Sequence, residues 1–105
     1  MKSTKRKPVT VGEMLKEEFL EPMGISNTSF AERIGAHRNV ISDLVVEKAE
    51  LTTPLVIKLA VAFGNGADFW LNIQHAVDLW ETRNNAKQTA KGIKPFEEVV
   101  ELSLA

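Results

Sequence analysis

The stretch Asn-Thr-Ser-Phe-Ala-Glu-Arg-Ile-Gly-Ala-His-Arg-Asn-Val-Ile-Ser-Asp-Leu-Val, residues 27–45, decides the fold. Its apolar residues Phe30, Ile34, Ile41 and Leu44 recur at helical rather than alternating spacing, on either side of Gly35. Ser26 supplies the cap for a short helix over Asn27–Ile34, and Gly35 closes it at a position suited to positive φ. A second helix is predicted from Arg38 to about Val46. Two helices joined by so short a turn must cross steeply. Only a small side chain fits where they come closest, and Ala31 stands there. Phe30, Ile34, Ile41 and Leu44 then point inward and lock the pair.

These are the requirements of a helix-turn-helix, whose second helix enters the DNA major groove. With Ile41 and Leu44 inward, His37, Arg38, Asn39, Val40, Ser42 and Asp43 are left outward or at the rim. Arg38 and Asn39 occupy the first turn, the end that meets base edges in this motif. Arg pairs bidentately with guanine O6 and N7, and Asn with adenine N6 and N7. Val40 suits a thymine methyl group, Ser42 a second base or a phosphate, and Asp43 either cytosine N4 or the orientation of Arg38. Contacts to the DNA backbone are expected from Ser26 and Asn27 at a helix start, and from His37 and Lys48 on either side of the second helix. An Arg-Asn pair alone reads as solvated surface; the surrounding turn raises it above that.

Three further helices are predicted around this pair. Thr10 and Glu13 have capping-box spacing, followed by Val11, Met14, Leu15 and Phe19 on one face, and Pro22 is expected to stop that helix. Thr53 is expected to cap a helix with Pro54 in its first turn, ending at Gly64. Its Leu55, Val56, Ile57, Leu59, Ala60, Val61 and Phe63 are apolar nearly all round, which predicts burial. The last helix starts near 65–68 and continues to about Asn85 or beyond. Phe69, Ile73, Ala76, Val77 and Trp80, with Trp70 at their edge, form its expected core stripe. Leu71, His75 and Leu79 lie on another side and are the expected interface of a twofold dimer, whose recognition helices would sit about 34 Å apart to read paired half-sites. The fold class is all-α, with five helices.

Composition narrows the function classes. The chain has 105 residues, 44% of them apolar and 26% charged, which suits a single globular domain. It has no Cys and only two His, His37 and His75, so disulfide frameworks and thiolate metal sites are excluded. No metal-ligand spacing, Gly-rich phosphate loop or nucleophile-base pair occurs, so no catalytic residue, metal or cofactor is expected. No apolar run approaches the roughly 20 residues of a membrane span, and no secretory apolar segment follows the basic start, so a cytoplasmic protein is expected. The formal net charge is −1, yet Lys2, Lys5, Arg6 and Lys7 place +4 within 1–8, while Glu97, Glu98 and Glu101 place −3 within 97–105. This divides the chain into a flexible basic arm (1–8), a DNA-binding and dimerisation domain (9–89) and a C-terminal tail (90–105).

The turn block resembles the lambda-repressor-like (Xre) helix-turn-helix family. Val-Gly-Glu-Met-Leu-Lys-Glu-Glu-Phe-Leu-Glu-Pro-Met-Gly (11–24), Ala-His-Arg-Asn-Val-Ile-Ser-Asp-Leu (36–44), Leu-Thr (51–52), Lys-Leu-Ala (58–60) and Asp-Phe-Trp-Leu-Asn-Ile-Gln-His-Ala-Val-Asp-Leu-Trp (68–80) make it similar to the HigA-type, or VapI-like, antitoxins. The resemblance implies a five-helix, dimeric repressor of its own operon that also neutralises a HigB-like mRNA-cleaving toxin, with base reading by Arg38, Asn39 and neighbours up to Asp43. Val45-Val46-Glu47-Lys48 stands where the family has Asn-Gly-Lys, which leaves the loop before Leu51 open to a different course. Gly66-Ala67 replaces the more usual Ser-Pro or Thr-Pro start of the last helix, a weaker cap. A basic toxin has two candidate contacts: the N-terminal arm with the first helix and its Glu13, Glu17, Glu18 and Glu21, or the acidic tail; the former is preferred. Two other readings stay open, a stand-alone repressor without a toxin and a protein-interaction module that has lost DNA.

Overall fold

In a computed structural model of the chain, residues 6–96 are described. Helix α1 covers 11–23 in three continuous segments, α-helical Val11–Met14, π-helical Leu15–Leu20 and α-helical Glu21–Met23. It is followed by α2 (Asn27–Ile34), α3 (Arg38–Val45), α4 (Thr53–Phe63) and α5 (Ala67–Ala90). The fold is all-α among the described residues. The helix-turn-helix pair α2–α3 packs on itself, α1 lies against α3 and α5, and α4 bridges α2 and α5.

Helix α1 starts as its capping box predicts. The Glu13 amide donates to Thr10 Oγ1 at 3.1 Å, and the Thr10 amide donates to Glu13 Oε1 at 3.0 Å. Pro22 does not stop the helix, contrary to expectation; Gly24 does, two residues later, at φ 67°. The reason is the π turn just before the proline, in which the Glu21 amide donates to the Lys16 carbonyl. Five-residue spacing relieves the clash of the proline ring with the carbonyl four residues back. It also returns Leu20 to the side of Leu15, so that both are buried at positions that α-helical spacing would separate.

The start of α4 is shifted by one residue from the expected place. Thr52 is the cap, its Oγ1 accepting from the Leu55 amide at 3.4 Å, while Thr53 and Pro54 form the first turn. Nor is α4 buried all round. Leu55, Val56 and Leu59 are in the core, but Ile57 and Val61 face solvent. An apolar circumference can face inward on one side only, because two neighbours, α2 and α5, do not enclose a cylinder.

Helix α5 also turns differently. Trp70, expected at the edge of its stripe, is fully buried at the centre; Ile73 and Val77 continue that line, while Phe69 and Ala76 are exposed. Trp70 wins because its indole N–H reaches Asn65 Oδ1 at 2.9 Å, which satisfies the polar end of the largest side chain in the core. Around it, Phe19 packs on Phe63 at 4.5 Å between ring centroids and on Trp70 at 5.3 Å, and Phe30 stacks on Phe63 at 5.2 Å. The cap of α5 is the weak one expected, since Gly66 has no side chain to offer.

Candidate nucleic-acid interface

The turn follows from local chemistry. Ser26 Oγ accepts from the Ser29 amide at 3.1 Å and starts α2. Gly35 ends it at φ 69°, and the Ala36 amide then donates back to the Ala31 carbonyl at 2.9 Å. A Cβ on Gly35 would meet open space, so glycine is needed there for its dihedral angle and not for room. Ala31 is buried at the contact of α2 with α3, as the steep crossing demands.

Helix α3 is anchored from below and open above. Ile41 and Leu44 are in the core, whereas His37, Arg38, Asn39, Val40 and Asp43 are exposed and Ser42 is half-buried. His37 is the N-cap: its Nδ1 accepts the Asn39 amide at 3.1 Å. Ser26 and Asn27 sit at the far end of α2 from the turn, a helix of eight residues and therefore about 12 Å away. After α3 the chain folds back on it, the Lys48 and Ala49 amides donating to the Asp43 carbonyl at 2.7 and 3.3 Å. Lys48 is thus an exposed cation fixed beside the end of α3. Val40 is 40% exposed, enough for an apolar contact with a base.

The loop without its glycine still takes a glycine-like course. Glu47 adopts φ 64°, the left-handed region that a side chain rarely enters. Its carboxylate accepts from Lys7 Nζ at 3.1 Å. That hydrogen bond, with the charge of Glu47 itself, holds the Lys7 ammonium above its ordinary value of 10.5. The expected basic arm is therefore tied down at Lys7; residues 1–5, like the acidic tail residues Glu97, Glu98 and Glu101, lie outside the described residues.

Two further positioning residues escaped sequence reasoning. Gly12 is buried where α1 meets the end of α3, and a Cβ there would fall on the Leu44 carbonyl oxygen and within 2.9 Å of Val45 Cα. Lys58 on α4 donates to the Gly35 carbonyl at 3.1 Å, filling an acceptor that the end of α2 leaves open. No local pattern marks either residue, since each answers to a neighbour far along the chain. On α5, Leu71 and Leu79 are 47% and 39% exposed and His75 is exposed, all on the side away from Trp70 and Val77. Among the described residues no helix is long and apolar enough to cross a membrane.

A family model described as Helix-turn-helix matches residues 16–70, from the middle of α1 to Trp70. The Vibrio cholerae antitoxin HigA-1 is 59% identical over 96 residues, which span 91% of this chain and 90% of that protein. The Escherichia coli protein named uncharacterized HTH-type transcriptional regulator YbaQ is 43% identical over 101 residues, 96% of this chain and 88% of that one. The solved structure of the Pseudomonas aeruginosa antitoxin HigA with the higBA promoter superimposes with a TM-score of 0.73 at 30% identity, covering 85% of this chain and 98% of that one. Fold, turn geometry and these similarities agree that the chain belongs to the helix-turn-helix family, on the branch that contains the HigA antitoxins.

Proposed function

We propose that the chain is the antitoxin of a toxin–antitoxin pair: it represses its own operon by sequence-specific DNA binding and neutralises a HigB-like mRNA-cleaving toxin. The observation that carries the DNA half is the exposed start of α3, where Arg38 and Asn39 stand clear of a helix whose other side is buried. These two read bases, with Val40 and Asp43 beside them and Ser42 at the rim; Ser26, Asn27 and Lys48 meet the backbone. The toxin half rests on the 59% identity to HigA-1 over nearly the whole chain. In this reading the protein is a cytoplasmic regulator and not an enzyme.

The protein acts as a homodimer, since a palindromic operator needs two recognition helices about 34 Å apart. Leu71, His75 and Leu79 form the interface, a stripe with two exposed leucines that the core of one subunit leaves uncovered. The folded unit is 9–89, and the arm 1–8 with helix α1, whose Glu17, Glu18 and Glu21 are exposed, is the toxin contact, in preference to the tail 90–105.

One experiment tests both halves. Co-expression with the neighbouring reading frame should relieve that gene's growth arrest, and the purified chain should shift the DNA upstream of its own gene with an affinity that falls steeply with salt. A 43% identity to a protein named a transcriptional regulator favours, as the second reading, a repressor with no toxin. That reading predicts the DNA shift without any co-purifying basic partner.

A further inference from the structure

We infer that His37 is a positioning residue for base reading: its imidazole holds the first turn of α3 in place by capping it, and does not grip phosphate as its main task. The inference rests on the operator-binding reading and deepens it. A helix begins with backbone N–H groups that have no partner within it. Here α1, α2 and α4 meet that need with the hydroxyls of Thr10, Ser26 and Thr52, and α5 with no side chain at all. Helix α3, whose start is the reading end, uses an imidazole. Its Nδ1 accepts the Asn39 N–H at 3.1 Å, and the His37 carbonyl accepts the Val40 N–H at 2.9 Å. Both bonds close on the residues that carry the reading side chains. Little else orders them, because Arg38, Asn39 and Val40 are all exposed.

Cap and grip use different nitrogens of the same ring. A cap needs an acceptor, and a phosphate contact needs a donor. A nitrogen that accepts the Asn39 amide carries no proton, so the ring N–H is at Nε2. The two roles therefore separate by substitution. His37→Ser and His37→Asn keep a cap and shorten the reach. His37→Lys keeps only donors, and His37→Ala keeps neither.

The test measures binding of each full-length variant to the duplex immediately upstream of its own gene and to a scrambled duplex, over a series of salt concentrations. Amide hydrogen exchange at Asn39 is followed without DNA. His37→Ala and His37→Lys should lower the ratio of upstream to scrambled affinity about five-fold, the factor that corresponds to one lost cap. His37→Ser and His37→Asn should stay within about two-fold of the unsubstituted protein, as good capping residues do. The salt slope should be the same for His37→Ala and His37→Ser as for the parent, and Asn39 exchange should quicken only in the Ala and Lys variants. Two results would overturn the inference: His37→Ser falling with His37→Ala, which is a phosphate grip, with the salt slope lower by about 0.9 where the ring carries a charge in the complex, or Asn39 exchange and the affinity ratio both unchanged in His37→Ala. If the unsubstituted protein does not prefer the upstream DNA, the operator reading fails, and Asn39 exchange still decides whether His37 orders the turn.

Discussion

The two ends of α3, about 12 Å apart, are held by unlike means. The trailing end is locked by packing: Ile41 and Leu44 are buried, and Gly12 of α1 brings backbone against backbone at Leu44 and Val45. The leading end stands in water, ordered by the His37 cap and the hydrogen-bonded turn before it. A surface that must meet a base edge cannot also be packed against its own core, so its precision has to come from elsewhere. Here it comes from a rigid far end and a hydrogen-bonded near one. In the proposed function, stability belongs to the first and recognition to the second.

Substitutions at the two ends should therefore have separable effects. The largest is expected at the trailing end, where Leu44→Ala leaves a cavity and costs about 2–5 kcal/mol. Thermal unfolding should fall by several degrees for each kcal/mol, and DNA binding should weaken with it. A loss below about 1 kcal/mol would show that the trailing end is not the anchor. Gly12→Ala comes next. It forces a methyl group onto the Leu44 carbonyl, with an expected loss of about 1–3 kcal/mol in denaturant unfolding.

At the leading end the pattern reverses. Arg38→Ala and Asn39→Ala should leave stability within about 0.5 kcal/mol, yet each should remove about 1–3 kcal/mol of discrimination between upstream and scrambled DNA. Equal losses on both duplexes would mean that these residues touch phosphate rather than bases. The smallest effects are expected at the loop beyond α3. Glu47→Gly relieves a left-handed side-chain conformation worth about 1 kcal/mol but loosens the unfolded chain by a similar amount, so unfolding curves should nearly coincide. Lys7→Met removes an ion pair whose two side chains are 41% and 40% exposed, and any difference should vanish with salt. Because Glu47 raises Lys7 above 10.5, the pair's contribution is complete below that pH and fades as pH rises through the higher folded value.

The helix-turn-helix was more legible in sequence than the packing around it. Ser26, Gly35 and Ala31 announce the turn because cap, positive φ and close crossing are each met by one residue within a few positions of the others. That His37 caps α3 was not legible, since histidine is not among the usual capping residues and its reading as a phosphate contact was equally open. Pro22 misled because a π turn is set by what the helix must bury, Leu15 and Leu20 together, and not by the proline itself. Glu47 shows the converse: the loop has a left-handed residue although no glycine stands there, because the chain must return to the Asp43 carbonyl.

By itself the sequence determined the order of the helices, the caps of α1 and α2, and which residues of α3 are free to meet a ligand, because these depend on spacings of three or four residues along a chain that carries its own periodicity. Tertiary structure alone decided the rotation of α5 about Trp70, the exposure of Ile57 and Val61, and the seating of Gly12 and Lys58 against α3 and the turn. Burial is a relation between surfaces distant in the chain, and a helix with apolar residues on several sides has no way to specify which of them its neighbours will cover.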